Sequence, residues 1–215
     1  MNIRSVHKAI LQVNHVALTE PSSEAVFQGM CHALSGVVNY DRAGLSLWDP
    51  EHDSLRITAL YGCFENSYFH VGDLLDPKSS QNGWTFRTQS KTIRRDLPNE
   101  LRFASERYTV EEGFQSLCSV PLVVRGNSIG VVTVVGSRRN QFSERHADLV
   151  QEMSDQIALA ISFGTQRCLT HATTRLLCPR CIGAAGGKTT VSKHRQDLST
   201  WGKKGGRGRK KLASA

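Results

Sequence analysis

The apolar positions along this chain keep two periods, and each change of period marks a change of element. Over residues 1–18, Ile3, Val6, Ile10, Val13 and Ala17 recur at spacings of three and four, a narrow apolar seam of the kind that pairs one helix with another. "TEPSSE" then supplies a proline and capping serines, and Val26, Met30, Leu34 and Val37 share one face of a second helix predicted over about 23–38. From there the period is two. "AGLSLWDP" alternates Ala43, Leu45 and Leu47 against smaller or polar neighbours, "SLRITALYG" does the same with Leu55, Ile57 and Ala59, and "EHDS" between them predicts a hairpin loop. "SLCSVPLVV", the turn "RGNS" and "IGVVTVVG" predict a second hairpin, whose last strand is almost wholly apolar and is expected at the centre of a sheet. The helical period returns in "NQFSERHADLVQEMSDQIALAI": Ser143 is an N-cap, Glu144 sits in the first turn, and Val150, Met153, Ile157, Ala160 and Gly164 repeat the seam of the first helix.

These elements predict an α+β fold, a central antiparallel sheet flanked by helices. The seams on the first and last helices predict a homodimer held by a helical bundle; the alternative is that both pack on the domain's own sheet. Between the hairpins, residues 63–115 are irregular and rich in special side chains, among them Tyr68, Phe69, His70, Asp73, Trp84, Phe86, Arg94, Asp96 and Phe103, separated by Asp-Pro, Asn-Gly and Leu-Pro turns. Within this region "SSQNGWTF" predicts a turn entering a short helix, whose first N–H groups suit an anion.

Charge redraws the end of the chain. The 215 residues carry +8, yet from Gly164 onward six Lys and six Arg face one acid, Asp197, so this tail holds about +11 and the rest about −3. An inference to a polyanionic partner therefore applies to the tail alone. Length and a hydrophobic content of 39% suit one core with an appendage. The expected division is a dimerisation helix over 1–18, a folded domain over 19–163, and a basic Cys/Gly-rich tail over 164–215. No apolar run approaches the ~18 residues of a membrane span, and "MNIRSVHKAILQ" lacks the apolar block of a signal peptide. The expectation is a cytoplasmic protein without a membrane partner.

Six cysteines in a reducing compartment point to thiols or a metal site rather than a disulfide framework. Cys31, Cys63 and Cys118 stand singly in apolar surroundings and read as small buried hydrophobes. Cys168, His171, Cys178 and Cys181 form C-x-x-H and C-x-x-C pairs six residues apart, four ligands suited to tetrahedral zinc; the alternative is a pair of exposed thiols without metal. Further on, Gly186-Gly187 and Gly205-Gly206 lie 19 residues apart, which resembles the Lys-Gly-Gly repeat of small stress-induced bacterial proteins. Arg207-Gly208-Arg209 resembles the core of an AT-hook, which lies extended in the narrow minor groove, although the flanking proline is absent. Glycine is expected to keep the tail largely disordered until it binds. Lys188, Lys193, Arg195, Lys203, Lys204, Arg207, Arg209, Lys210 and Lys211 are the candidate contacts to DNA or RNA phosphates, in binding that is salt-sensitive and largely sequence-independent.

The succession "NGWTFRTQSKTIRRDL", "EEGFQSLCSVPLVVRGNSIGVVTVVG" and "QFSERHADLVQEMSDQIALAI" resembles a GAF domain over roughly residues 20–163, in the flavour of the sensory domains of formate-responsive enhancer-binding activators. The resemblance implies that the irregular region forms the wall and lid of a small-molecule cavity over the sheet. It makes Phe69, Trp84, Phe86, Arg94, Asp96, Phe103, Ser116 and Cys118 the candidate ligand-binding residues. Several ligand classes fit poorly. "NQFSERHAD" lacks the lysine and acidic pair of cyclic-nucleotide GAF domains, no Cys-His neighbour supports a bilin, and His70 is the lone haem candidate in the lid. One branch of the family reduces free methionine sulfoxide with cysteines near the cavity, but here Cys118 has no resolving partner close in sequence. With no paired carboxylates, Ser-His-Asp arrangement or phosphate loop, enzyme activity is not expected. The reading is a sensory or regulatory GAF protein in transcriptional regulation; a thiol enzyme of the methionine sulfoxide type and a ligand-free dimerisation module are the alternatives.

The tail reading has a direct measure. In fluorescence-anisotropy titrations of duplex DNA at two salt concentrations, the full chain should bind with an affinity that falls steeply with salt. A chain ending at Gly164 should not bind.

Overall fold

The computed structural model describes residues 2–20, 22–62 and 67–165, within the first of the two units into which the chain divides, Met1–Thr165. Cys63, the candidate zinc ligands Cys168, His171, Cys178 and Cys181, and the candidate nucleic-acid contacts from Lys188 to Lys211 lie outside the described residues.

Both predicted opening helices form. α1 (Ile3–Thr19) is capped by Asn2, whose side chain accepts from the Arg4 N–H at 3.0 Å. α2 (Ser23–Ser35) is capped by Ser22, which accepts from the Ala25 N–H at 3.1 Å, with Glu24 in the first turn where the helix dipole favours an acid. β1 (Arg42–Asp49) and β2 (Ser54–Gly62) make the first hairpin; β3 (Leu74–Leu75) adds an edge. The irregular region contributes α3 (Gln81–Thr88), β4 (Thr92–Arg94), a 3-10 turn at Leu97–Asn99 and α4 (Glu106–Glu111). β5 (Ser116–Val124) and β6 (Asn127–Gly136) follow, and α5 (Glu144–Thr165) closes the unit. The β5–β6 connection is tighter than the sequence suggests: Arg125 (φ 52°) and Gly126 (φ 80°) alone make the turn, both left-handed, as a two-residue turn matched to strand twist requires.

The six strands form one antiparallel sheet in the order β3-β2-β1-β6-β5-β4, so the most apolar strand, β6, is indeed interior. One face carries the main core. Ala43, Leu45, Ala59, Cys118, Val120, Leu122, Val132 and Val134 pack there against Phe27, Met30 and Leu34 of α2 and Val150, Met153 and Ile157 of α5. Among the described residues the second face is served by short elements, and it carries a small cluster of Leu97, Leu117 and Val135.

Two expectations change. First, β2 does not keep a single apolar face: its register with β1 shifts so that Leu45 faces Ala59 while Ser46 faces Ile57, leaving Thr58 as an extra residue. The bulge puts Ala59 in the helix-covered core and turns Ile57 to the opposite face. Second, part of each helical seam is covered within the chain. Val13 of α1 and Val150, Met153 and Ile157 of α5 are fully buried, and α1 packs against both α2 and α5. What those helices leave outward is Ile3, Leu11, Leu18 and Leu159.

The α1–α2 contact depends on a close approach. A Cβ on Gly29 would lie 2.5 Å from Val16 Cγ1, on a stiff β-branched side chain. Helix propensity alone makes Gly29→Ala stabilising by about 1 kcal/mol, but overpacking costs about 1–3 kcal/mol. Urea denaturation should therefore show Gly29→Ala to be destabilising, and the added Val16→Ala should reverse the sign of the Gly29→Ala effect.

Candidate functional site

The second face is where polar side chains collect. Along the middle of three adjacent strands the apolar run is broken once each by Ser46, Thr133 and Ser119. Ser119 and Thr133 share a hydrogen bond of 2.9 Å, Thr133 Oγ1 donates to Asn82 Oδ1 at 3.0 Å, and Asn82 Nδ2 donates to Ser46 Oγ at 3.2 Å. Asn82 belongs to the first turn of α3, so this network fixes the short helix to the sheet. The helix N-terminus is closed by its own cap: Ser80 Oγ accepts from the Gly83 N–H at 3.0 Å. That hydroxyl occupies a place the sequence offered to an anion.

Between α3, α4 and the sheet remains a cavity of about 90 Å³. Its sheet wall includes Arg42, Gly44, Ser46, Ile57, Leu60, Leu117, Thr133 and Val135; its outer wall includes Phe69, Leu75, Gln81, Asn82, Ser105, Glu106 and Thr109. A nucleotide, bilin or haem is far larger than this cavity.

Two buried ion pairs frame this space. Arg42 pairs with Glu112, its Nη1 donates to Ser67 Oγ at 3.0 Å, and its guanidinium lies over the rings of Phe114 (4.6 Å) and Phe69 (6.0 Å). Glu112 also accepts from the Ser67 hydroxyl at 3.0 Å and the Tyr68 N–H at 2.5 Å, so the pair holds the segment that carries Phe69 onto the sheet. In the second pair, Glu106 is 2% exposed. Its Oε2 accepts from the Arg102 and Phe103 N–H groups at 2.6 and 2.9 Å, while its Oε1 faces Arg94 Nε at 3.6 Å and has no hydrogen-bond partner. Arg94 Nη2 donates to Gln81 Oε1 at 2.7 Å. Burial pushes the Arg94 guanidinium below its ordinary range, and Glu106 opposes the shift.

Of the eight candidate residues, the cavity wall contains Phe69. Arg94 stands behind Gln81 and Glu106 as a supporting group. Phe86 lies elsewhere, stacked on Trp48 at 5.1 Å; Trp84 is half-buried off the wall. Asp96 pairs with Arg139 at 3.2 Å, and Phe103 contributes its backbone N–H to Glu106. Ser116 is fully buried and off the cavity wall. Cys118 is the clearest correction: strand alternation turns it to the opposite face, into the core shared with α5. His70 is exposed beside Asp73 rather than in the cavity. Missed were Arg42, Gln81, Glu106, Glu112 and the Ser46–Thr133 pair; the signal that could have found the last two was a lone hydroxyl in the middle of each otherwise apolar strand.

The GAF domain family matches residues 22–161, well over half of the chain. The chain belongs to the GAF family. Its fold is that of a GAF domain, a small-molecule sensing and regulatory fold. It is similar to the GAF domain of an Acinetobacter phosphoenolpyruvate-protein phosphotransferase at 18% identity, over 75% of this chain and 95% of that one, with a TM-score of 0.64. It is similar to the free methionine-R-sulfoxide reductase of Neisseria meningitidis, solved in complex with its substrate, at 16% identity over 75% and 92% with a TM-score of 0.63. The GAF domain of a two-component sensor histidine kinase from Bacillus halodurans is similar at 15% identity over 63% and 90%, with a TM-score of 0.57. These identities show the shared fold alone, and the fold serves both sensors and at least one enzyme. No curated protein sequence matches the chain.

Among the described residues this GAF domain has no cysteine on its cavity wall, since Cys31 and Cys118 are both in the main core. Burial pushes the Cys118 thiol up from 9.0 to about 12. Because the unfolded thiol ionises near 9.0 and the folded one near 12, this group stabilises the fold fully below pH 9.0 and loses that contribution as pH rises to about 12. Iodoacetamide at pH 8 should leave Cys118 unmodified in the native protein and label it in urea, as read by peptide mass spectrometry.

Proposed function

We propose that this chain is a sensory or regulatory GAF protein of the cytoplasm that binds a small molecule in the cavity over its sheet and passes the signal to its terminal helices. The observation that carries the reading is the cavity itself: an apolar-walled space with a few buried polar groups, the usual make-up of a small-molecule site. A ligand that favours one packing of the lid would bias the Arg42–Glu112 and Asn82–Thr133 contacts through which lid and sheet meet. The sheet's other face packs directly on α5, which makes that helix the natural outlet.

In this reading the protein acts in transcriptional regulation, in the manner of the formate-responsive activators whose sensory domains its sequence resembles. It works as a homodimer through Ile3, Leu11, Leu18 and Leu159, the apolar residues that α1 and α5 leave exposed. The basic tail contacts nucleic acid, with zinc held by Cys168, His171, Cys178 and Cys181. No helix among the described residues is long and apolar enough to cross a membrane.

Thermal-shift measurements of the full chain against a set of small acids, amino acids, sugars and nucleotides test the reading. At least one compound should raise Tm and be competed by its own analogues. Gly44→Val, whose Cβ meets only Leu60 Cδ2 at 3.3 Å and whose methyls would occupy the cavity, should abolish that shift while remaining folded. A full set without any shift would remove the small-molecule part.

A further inference from the structure

The ion pairs beside the cavity do not turn the same sign toward it. From the first pair Arg42 lines the cavity and Glu112 stands behind it; from the second Glu106 lines it and Arg94 stands behind. The sheet wall of a single small space therefore presents a guanidinium and its outer wall a carboxylate, while the four charges together sum to zero. A ligand of net charge would leave that sum unbalanced in a buried site, whereas a ligand carrying both signs would not. A second observation concerns Glu106. It is 2% exposed, and its Oε1 has only the long contact to Arg94 Nε, at 3.6 Å. A buried carboxylate oxygen left in this condition is costly unless a donor arrives.

We infer that the cavity takes a small zwitterion, a free amino acid with a short aliphatic side chain, its ammonium donating to Glu106 and its carboxylate meeting Arg42. The inference rests on the reading of the cavity as a small-molecule site and names the ligand's class. At about 90 Å³ the cavity is a space for a small ligand. The apolar part of such a ligand has Ile57, Leu60 and Leu117 to rest on. Ser46, Asn82 and Thr133 are occupied with one another, and Arg42 and Glu106 are the charged groups of the lining.

Isothermal titration of the full chain with L-alanine, L-valine and L-leucine, and with 4-methylpentanoate and 3-methylbutylamine as leucine stripped of one charge or the other, provides the test. An amino acid should saturate a single site, and each stripped analogue should bind roughly 30-fold more weakly or worse, the loss expected when one partner of a buried charge pair is removed. Glu106→Gln, checked for its fold by circular dichroism, should weaken the amino acid and leave 4-methylpentanoate unchanged. Should that variant fail to fold, the analogue series on the unaltered protein decides alone. Equal binding of either stripped analogue overturns the zwitterion and leaves the sensor standing. So does a nucleotide or sugar that shifts Tm when no amino acid does. Silence from every compound in both series overturns the zwitterion and the small-molecule reading together.

Discussion

A strand in the interior of a sheet has two faces to cover, and in this protein the two are covered unequally. β6 and β1 lie inside the sheet. On one side α2 and α5, with α1 packed on both, supply large apolar side chains, from Phe27 and Met30 to Met153 and Ile157. On the other side the described residues offer an eight-residue helix, a six-residue helix, a 3-10 turn and loops. Short elements have too little apolar surface to seal such a face, so they are fixed by polar contacts instead. The Asn82 network and the Arg42–Glu112 pair do that fixing, and the space they span is the cavity.

The polar groups carry a consequence for stability as well as for binding. Buried ion pairs contribute little net stability, but removing one partner strands the other at about 3–5 kcal/mol. The lid is thus held by interactions that are expensive to break singly and inexpensive to rearrange together. That is a suitable construction for a wall that must accommodate a ligand, and unlike the helical face, where close packing such as Gly29 against Val16 leaves no slack. The two faces of one sheet are therefore built differently, one by close apolar packing and the other by polar contacts around a cavity.

The same division decides where the described cysteines lie. Cys118 sits on a strand that borders the cavity, yet the pleat directs its side chain to the core face, where burial holds it protonated. A neighbouring position on that strand, Leu117, takes the cavity place. GAF architecture by itself does not choose between sensing and chemistry; which residue type falls on which face does.

Sequence alone determined the long helices and the two hairpins. The three-four seams, the two-residue alternation and the Ser22 and Ser143 caps are local physics, each set by residues within a turn or two of one another, and the helices and hairpins stand where these place them. The apolar excess of β6 likewise foretold an interior strand, because only a strand buried on both faces can dispense with polar alternation. The site was far less legible. Irregularity and aromatic content pointed to the right stretch of chain, but aromatic content marks burial generally, and Phe86 spent it on Trp48 rather than on the cavity. Which residues meet across the cavity was decided by tertiary structure: by the bulge at Thr58 that turns Ile57 over, and by pairings such as Arg42 with Glu112, 70 positions apart in the chain. The fate of the helical seams was decided there too, since a stripe of apolar residues specifies that it must be covered but not by which neighbour. Periodicity is a property of a segment, whereas a site is a property of the contacts between segments.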